Sequence, residues 1–416
     1  MKQKIQRLEK FITSHEGILS VIRRIPSEII QEIFQWLSAI LRQEAQLEPK
    51  WALPFAYGQI CSSWRGSALS VHSLWSLFPE IRKPKTPVGQ ELQLKYMTEL
   101  LYRSRQSPIQ FFFDVGYWNK DPYPTADLVM QSSERWLVIN ILGTAMGIYR
   151  YFHEIRGRIP NLECLAISVL VFDAPSDRLD MFQTAPKLRE VKLAGHNMGD
   201  IKLPNHQLVD FYYVTTDTRN PLNQLTNAHH LENLICESRS WNPIPNINTI
   251  SLPNLKRLFV RLHHSSPPVL VFLTVPILES LHIEDELNAL DSALLRSLAE
   301  MASRSGNLPH LQELYIWSTL DKMLEGLDEV LRLTPALRVL ETPIPSPREI
   351  LTLASMSIGS LPLVTSLELC CFMVTEFLAP EIFSALKEFT DSRCELLHQY
   401  DSPLRGLRVV TNCGRW

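Results

Sequence analysis

The chain has 416 residues, 45% hydrophobic and 20% charged, with a formal net charge of −3. That is ordinary globular usage, which excludes wholesale disorder and leaves no overall field to draw in nucleic acid or an anionic membrane. Seven cysteines, at no framework spacing, point to a reduced, soluble, intracellular protein, cytoplasmic or nuclear, and the longest apolar run (residues 269–278) is too short to span a bilayer.

In chain order, Ile5, Leu8, Ile12, His15, Leu19 and Ile22 fall at three-four spacing and predict an amphipathic helix over residues 1–22. A second helix is predicted from Pro26, which suits a first helical position, with Glu28 in the turn where the dipole favours a carboxylate. Ile29, Ile30, Ile33, Phe34 and Leu37 read as one broad apolar stripe opposite Gln31, Glu32 and Gln35. A further helical stretch starts near Pro54 and brings Tyr57, Ile60, Cys61, Trp64 and Ala68 to one side. So small a helical unit cannot bury all this surface itself, so the surplus is expected to cover another protein.

Ile25-Pro26-x-Glu28-Ile29…Ile33-Phe34, Pro54, Gly58-Gln59-Ile60-Cys61-x-x-Trp64-Arg65, Ala68-Leu69 and Leu74-Trp75 resemble an F-box of the fungal type. Ile25 stands where that family usually has Leu, and His72 where a Pro commonly precedes the Leu-Trp pair. The resemblance implies a trio of helices over residues 23–80 that docks on the helical adaptor of SCF-type (cullin–RING) ubiquitin ligases and, through it, on the cullin scaffold. The adaptor-binding residues expected are Ile25, Pro26, Ile29, Ile30, Ile33, Phe34, Ile60 and Trp64.

Residues 81–107 read as a basic, Pro-punctuated connector followed by a helix marked by Leu92, Tyr96, Leu100 and Leu101. Pro108 then precedes Ile109-Gln110-Phe111-Phe112-Phe113, a first buried strand. From there a unit recurs: apolar, two residues, apolar, one residue, apolar. It runs through Trp136/Ile139/Ile141, Leu162/Leu165/Ile167, Leu188/Val191/Leu193, Leu208/Phe211/Tyr213 and Leu231/Leu234/Cys236. It continues as Leu255/Leu258/Val260, Leu278/Leu281/Ile283, Leu311/Leu314/Ile316, Leu337/Leu340/Thr342 and Val364/Leu367/Leu369. A Pro often sits two places ahead, as at Pro160, Pro253, Pro276, Pro309 and Pro335. This spacing marks leucine-rich repeats, so residues 108–416 are expected to stack into an irregular solenoid, with helical connectors at Leu287–Ser303 and Leu320–Leu333. The expected fold class is thus α/β, a helical F-box followed by a leucine-rich-repeat horseshoe.

No catalytic elbow, phosphate loop or metal-ligand spacing is present, so an enzyme, a metal or a cofactor is not expected. The function expected is a substrate receptor of an SCF ligase, with a non-degradative interaction scaffold as the alternative. An unknown protein target is expected on the alternate residues of the repeat strands, Phe259 and Arg261, His282 and Glu284, Tyr315 and Trp317, because exposed aromatics beside Arg have the composition of interaction hot spots.

Overall fold

A computed structural model gives a mixed α/β fold. It describes residues 4–9, 11, 25–44, 53–116, 123–170, 179–195, 201–215, 225–238, 249–262, 269–285, 292–318, 326–343, 348, 350–351, 366–371, 384–385, 387–388 and 406–411. Most of the predicted seam over residues 1–22 lies outside these, although residues 4–9 are helical. The chain divides into two compact units, residues 1–165 with 184–187, and residues 166–183 with 188–416. Among the described residues no helix is long and apolar enough to cross a membrane.

The first unit opens with helices α1 (Ser27–Glu44), α2 (Leu53–Tyr57) and α3 (Ser62–Ser70), then a 3-10 turn at His72–Trp75. Helix α1 brings Ile30, Phe34 and Leu41 into the core. Phe34 stacks on Tyr57 at 5.4 Å between ring centroids and meets Trp64 edge-on at 5.5 Å. The Trp75 indole N–H donates to the Ala68 carbonyl at 2.7 Å, and the Arg103 guanidinium lies 4.4 Å from the Trp75 ring centroid.

The basic connector begins as strand β1 (Ile81–Arg82), and Thr86 caps helix α4 (Pro87–Ser104), accepting from the Gly89 N–H, with Pro87 in the first turn where its missing N–H costs nothing. Strand β2 (Ile109–Gly116) lies between β1 and β3 (Trp136–Gly143), all parallel. The residues before β1 are stitched to β2, since the Phe78 N–H donates to the Gln110 carbonyl at 2.9 Å and the Gln110 N–H to Ser76 at 3.0 Å. Helices α5 (Pro124–Gln131) and α6 (Ala145–Phe152), which the repeat pattern does not foretell, complete this unit. Pro124 starts the first, and Thr144 caps the second through the Gly147 N–H at 3.1 Å.

In the second unit the parallel sheet follows chain order. Strands β5 (Glu190–Gly195), β6 (Asp210–Thr215), β7 (Asn233–Ser238), β9 (Arg257–Leu262), β11 (Ser280–Asp285), β12 (Glu313–Ser318), β13 (Val339–Pro343), β14 (Ser366–Cys371) and β15 (Gly406–Thr411) are successive neighbours. Strands β8 (Ile250–Ser251) and β10 (Leu273–Thr274) pair separately, and the division between units falls within β4 (Cys164–Val169). Every strand expected from the repeat pattern is present. In each unit up to Leu337/Leu340/Thr342 the pattern's three apolar positions are buried. Helix α7 (Ser292–Arg304) overlaps the first expected connector and ends one residue beyond it, and α8 (Leu327–Arg332) falls within the second; residues 287–291 and 320–325 lie outside the described residues.

The recurrent Pro has a local cause. The N–H of the first apolar residue closes a tight turn on the carbonyl three places back, as in Leu162→Ile159, Leu255→Leu252, Leu278→Val275, Leu311→Leu308 and Leu337→Thr334. The Pro stands second in that turn, where a fixed φ near −65° is the conformation required and no N–H is needed. The next two N–H groups then share one carbonyl of the preceding unit. Lys256 and Arg257 donate to Glu232, Glu279 and Ser280 to Lys256, Gln312 and Glu313 to Glu279, and Arg338 and Val339 to Gln312. Turn and shared acceptor together hold successive units in register.

Candidate functional site

Two surfaces stand out, one in each unit. The first is the outer face of α1. A residue every 100° of turn places positions i, i+4, i+7 and i+11 on one side of a helix. Ile29, Ile33, Trp36 and Ile40 have this spacing and are 43% to 67% exposed. Pro26 beside Ile29 is exposed too, as is Ile60 after α2, while Ile25 and Trp64 are half-buried.

The single stripe expected from the sequence is therefore two. Ile30 and Phe34, expected to contact a partner, are fully buried in the chain's own core and hold the helices together. Trp36 and Ile40 were missed, although their spacing from Ile29 and Ile33 is legible. Adjacent Ile29-Ile30 and Ile33-Phe34 pairs blur the two stripes into one.

The second surface lies on one face of the β7–β12 strands. Register sets Ile235, Phe259, His282, Tyr315 and Glu341 side by side in one row, and Glu237, Arg261, Glu284 and Trp317 in the next. All six expected target-binding residues are thus brought together, and each is half-buried. The His282 ring centroid is 4.7 Å from Phe259, 5.5 Å from Tyr315 and 4.6 Å from Trp317, which it meets edge-on.

Arg261 is not the open contact its place among aromatics implied. Its Nε donates to Glu284 Oε2 at 2.5 Å and its Nη1 to Glu237 Oε2 at 3.2 Å, and its guanidinium carbon lies 5.5 Å from the Phe259 ring centroid. In-register stacking delivers a carboxylate to it from either side.

Burial depresses the His282 imidazole below its usual 6.5, with Arg261 adding to that and Glu284 and Glu341 opposing it. The folded state then binds fewer protons than the unfolded chain as pH falls below about 6.5, so this residue lowers stability in acid. The expected result is that wild-type chain loses more denaturation midpoint between pH 7 and pH 5 than His282→Gln does. Equal losses would show that His282 is not a source of the pH dependence.

Nothing comparable to a catalytic constellation joins these residues. Among the described residues no group of three His, Cys, Asp or Glu side chains is placed to hold a metal ion. Cys236, on the buried side of β7, has its thiol pushed up to about 12 by burial, which keeps it protonated and unreactive. Set against known proteins, the chain matches no family model and no curated protein.

Proposed function

We propose that the chain is a bridging protein of the F-box and leucine-rich-repeat kind, a substrate receptor that joins the adaptor of an SCF ubiquitin ligase to a protein target. The observation that carries this reading is the outer face of α1. A helix that already buries Ile30 and Phe34 still presents Ile29, Ile33, Trp36 and Ile40 to solvent. Such a face is expensive to leave in water, and large apolar groups of this kind supply most of the energy of protein interfaces. The second half of the bridge is the aromatic row of the sheet, which takes the target. Proximity is the whole contribution to ubiquitin transfer in this reading, so no active site is called for.

The test uses purified full-length chain and purified adaptor. Ile29→Ala with Trp36→Ala is expected to weaken adaptor capture at least tenfold, about 1.4 kcal/mol or more, with little change in melting because neither side chain is buried. Undiminished capture overturns the assignment. In a reconstituted ligase, a bound target that acquires no ubiquitin would favour a scaffold instead. Tyr315→Ala with Trp317→Ala is expected to abolish target capture and to leave adaptor capture intact.

A further inference from the structure

Helices α5 and α6 border a cleft of about 270 Å³ in the first unit, which shares no residue with either surface described above. One wall is a face of α5, where Asp127 and Met130 fall one turn apart. The other is the end of α6 and the 3-10 turn that follows it (His153–Ile155). Tyr123, Met130 and Ile155 are buried and make the floor. The Tyr123 hydroxyl already donates to Gln93 Oε1 at 2.6 Å, so this floor asks of a ligand chiefly apolar contact. Small-molecule pockets run from roughly 300 to 1,000 Å³, which makes the occupant of this one small.

Charge is set around that floor. A type II turn carries Arg158 to the cleft: its N–H donates to the Ile155 carbonyl at 2.8 Å, and Gly157 takes the positive φ, +74°, that this turn requires. Among the described residues neither the Arg158 guanidinium nor the Asp127 carboxylate has an ion-pair or hydrogen-bond partner. A plain anion would meet Asp127 and Glu154 as well as Arg150 and Arg158, and a plain cation would meet the same mixture. A molecule carrying both charges can set each against its opposite.

We infer that the cleft binds a small zwitterion, an amino acid or short peptide. Its carboxylate takes Arg158, its ammonium takes Asp127, and its apolar side chain lies on Met130 and Ile155. Arg fits the first role because its planar fork can donate two parallel hydrogen bonds to a carboxylate. Free amino acids and peptides with both ends free share this chemistry, and length tells them apart.

The probes are L-leucine, L-phenylalanine and the dipeptide Leu-Phe, each titrated into the full chain by calorimetry. Expected is a Kd of about 1 mM or tighter for at least one of them. The N-acetylated form of the tightest probe lacks the ammonium and its amidated form lacks the carboxylate, and each is expected to bind at least tenfold more weakly. Arg158→Gln is expected to cost the zwitterion about tenfold and to leave the amidated form unaffected. Asp127→Asn is expected to do the same and to spare the acetylated form. Both side chains are exposed, so neither variant is expected to change the melting temperature. Tightest binding by leucine or phenylalanine assigns a free amino acid, and by Leu-Phe a peptide. No saturable binding of any probe up to about 10 mM, or affinity unchanged in both variants, overturns the inference. An acetylated form that binds as tightly as its parent marks an anion site and overturns it too.

Discussion

Trp136→Ala is expected to cost about 3–5 kcal/mol, read as a drop in the urea midpoint of the full chain. The indole is wholly buried at the start of β3, 5.1 Å from Phe111 and 5.9 Å from Phe152 between ring centroids. Phe113 meets Phe152 edge-on at 5.4 Å, so removing the indole opens a cavity bordered by rings that two strands and a helix hold in place. Trp136→Phe is expected to cost much less. It keeps ring against ring, and the indole N–H it removes makes no hydrogen bond among the described residues. Similar losses for the two variants would show that volume in this cluster is not what stabilises the unit.

Gly195→Ala is expected to be the more damaging change, at more than about 4 kcal/mol or with loss of soluble chain. Gly195 ends β5 with φ at +120°, a conformation that L side chains rarely adopt, and a Cβ there would lie 2.0 Å from the carbonyl oxygen of Val169 in β4. Neither backbone can retreat cheaply, because each belongs to a strand. Purified variant with a wild-type melting temperature would refute the close approach.

The strands were legible because the sequence writes their buried side in full. Leu255/Leu258/Val260 and Leu278/Leu281/Ile283 follow the alternation of a strand with one covered face, and the Pro ahead of each marks the turn that starts it. Helices α5 and α6 were not legible. Each is short, and each lies between strands whose apolar pattern dominates the local reading. The outer stripe of α1 was concealed by its own neighbour, since Ile29 and Ile30 differ by 100° of turn yet look alike in a row of letters.

The aromatic face of the sheet was legible as a row of residues, because fifth and seventh places of successive units must share a side. The ion-pair ladder was legible too. Glu237, Arg261 and Glu284 occupy one place in three successive units, which already writes an ion-pair ladder once lateral stacking is assumed. Gly195 carried no signal of its own, because a close approach between two backbones depends on the path of both.

Strand order in the second unit has a consequence for how the protein is made. Among the described residues, the strands of its main sheet lie beside those synthesised just before and just after them. During synthesis at about 5–20 residues per second, a new strand emerges every few seconds and meets an edge already waiting for it. Strand β8 departs from this rhythm, since its partner β10 emerges after β9. A nascent chain halted anywhere in this region would carry one raw edge on that side, the last strand translated. That edge is where a holding chaperone would be needed, and it moves along the chain as the ribosome does.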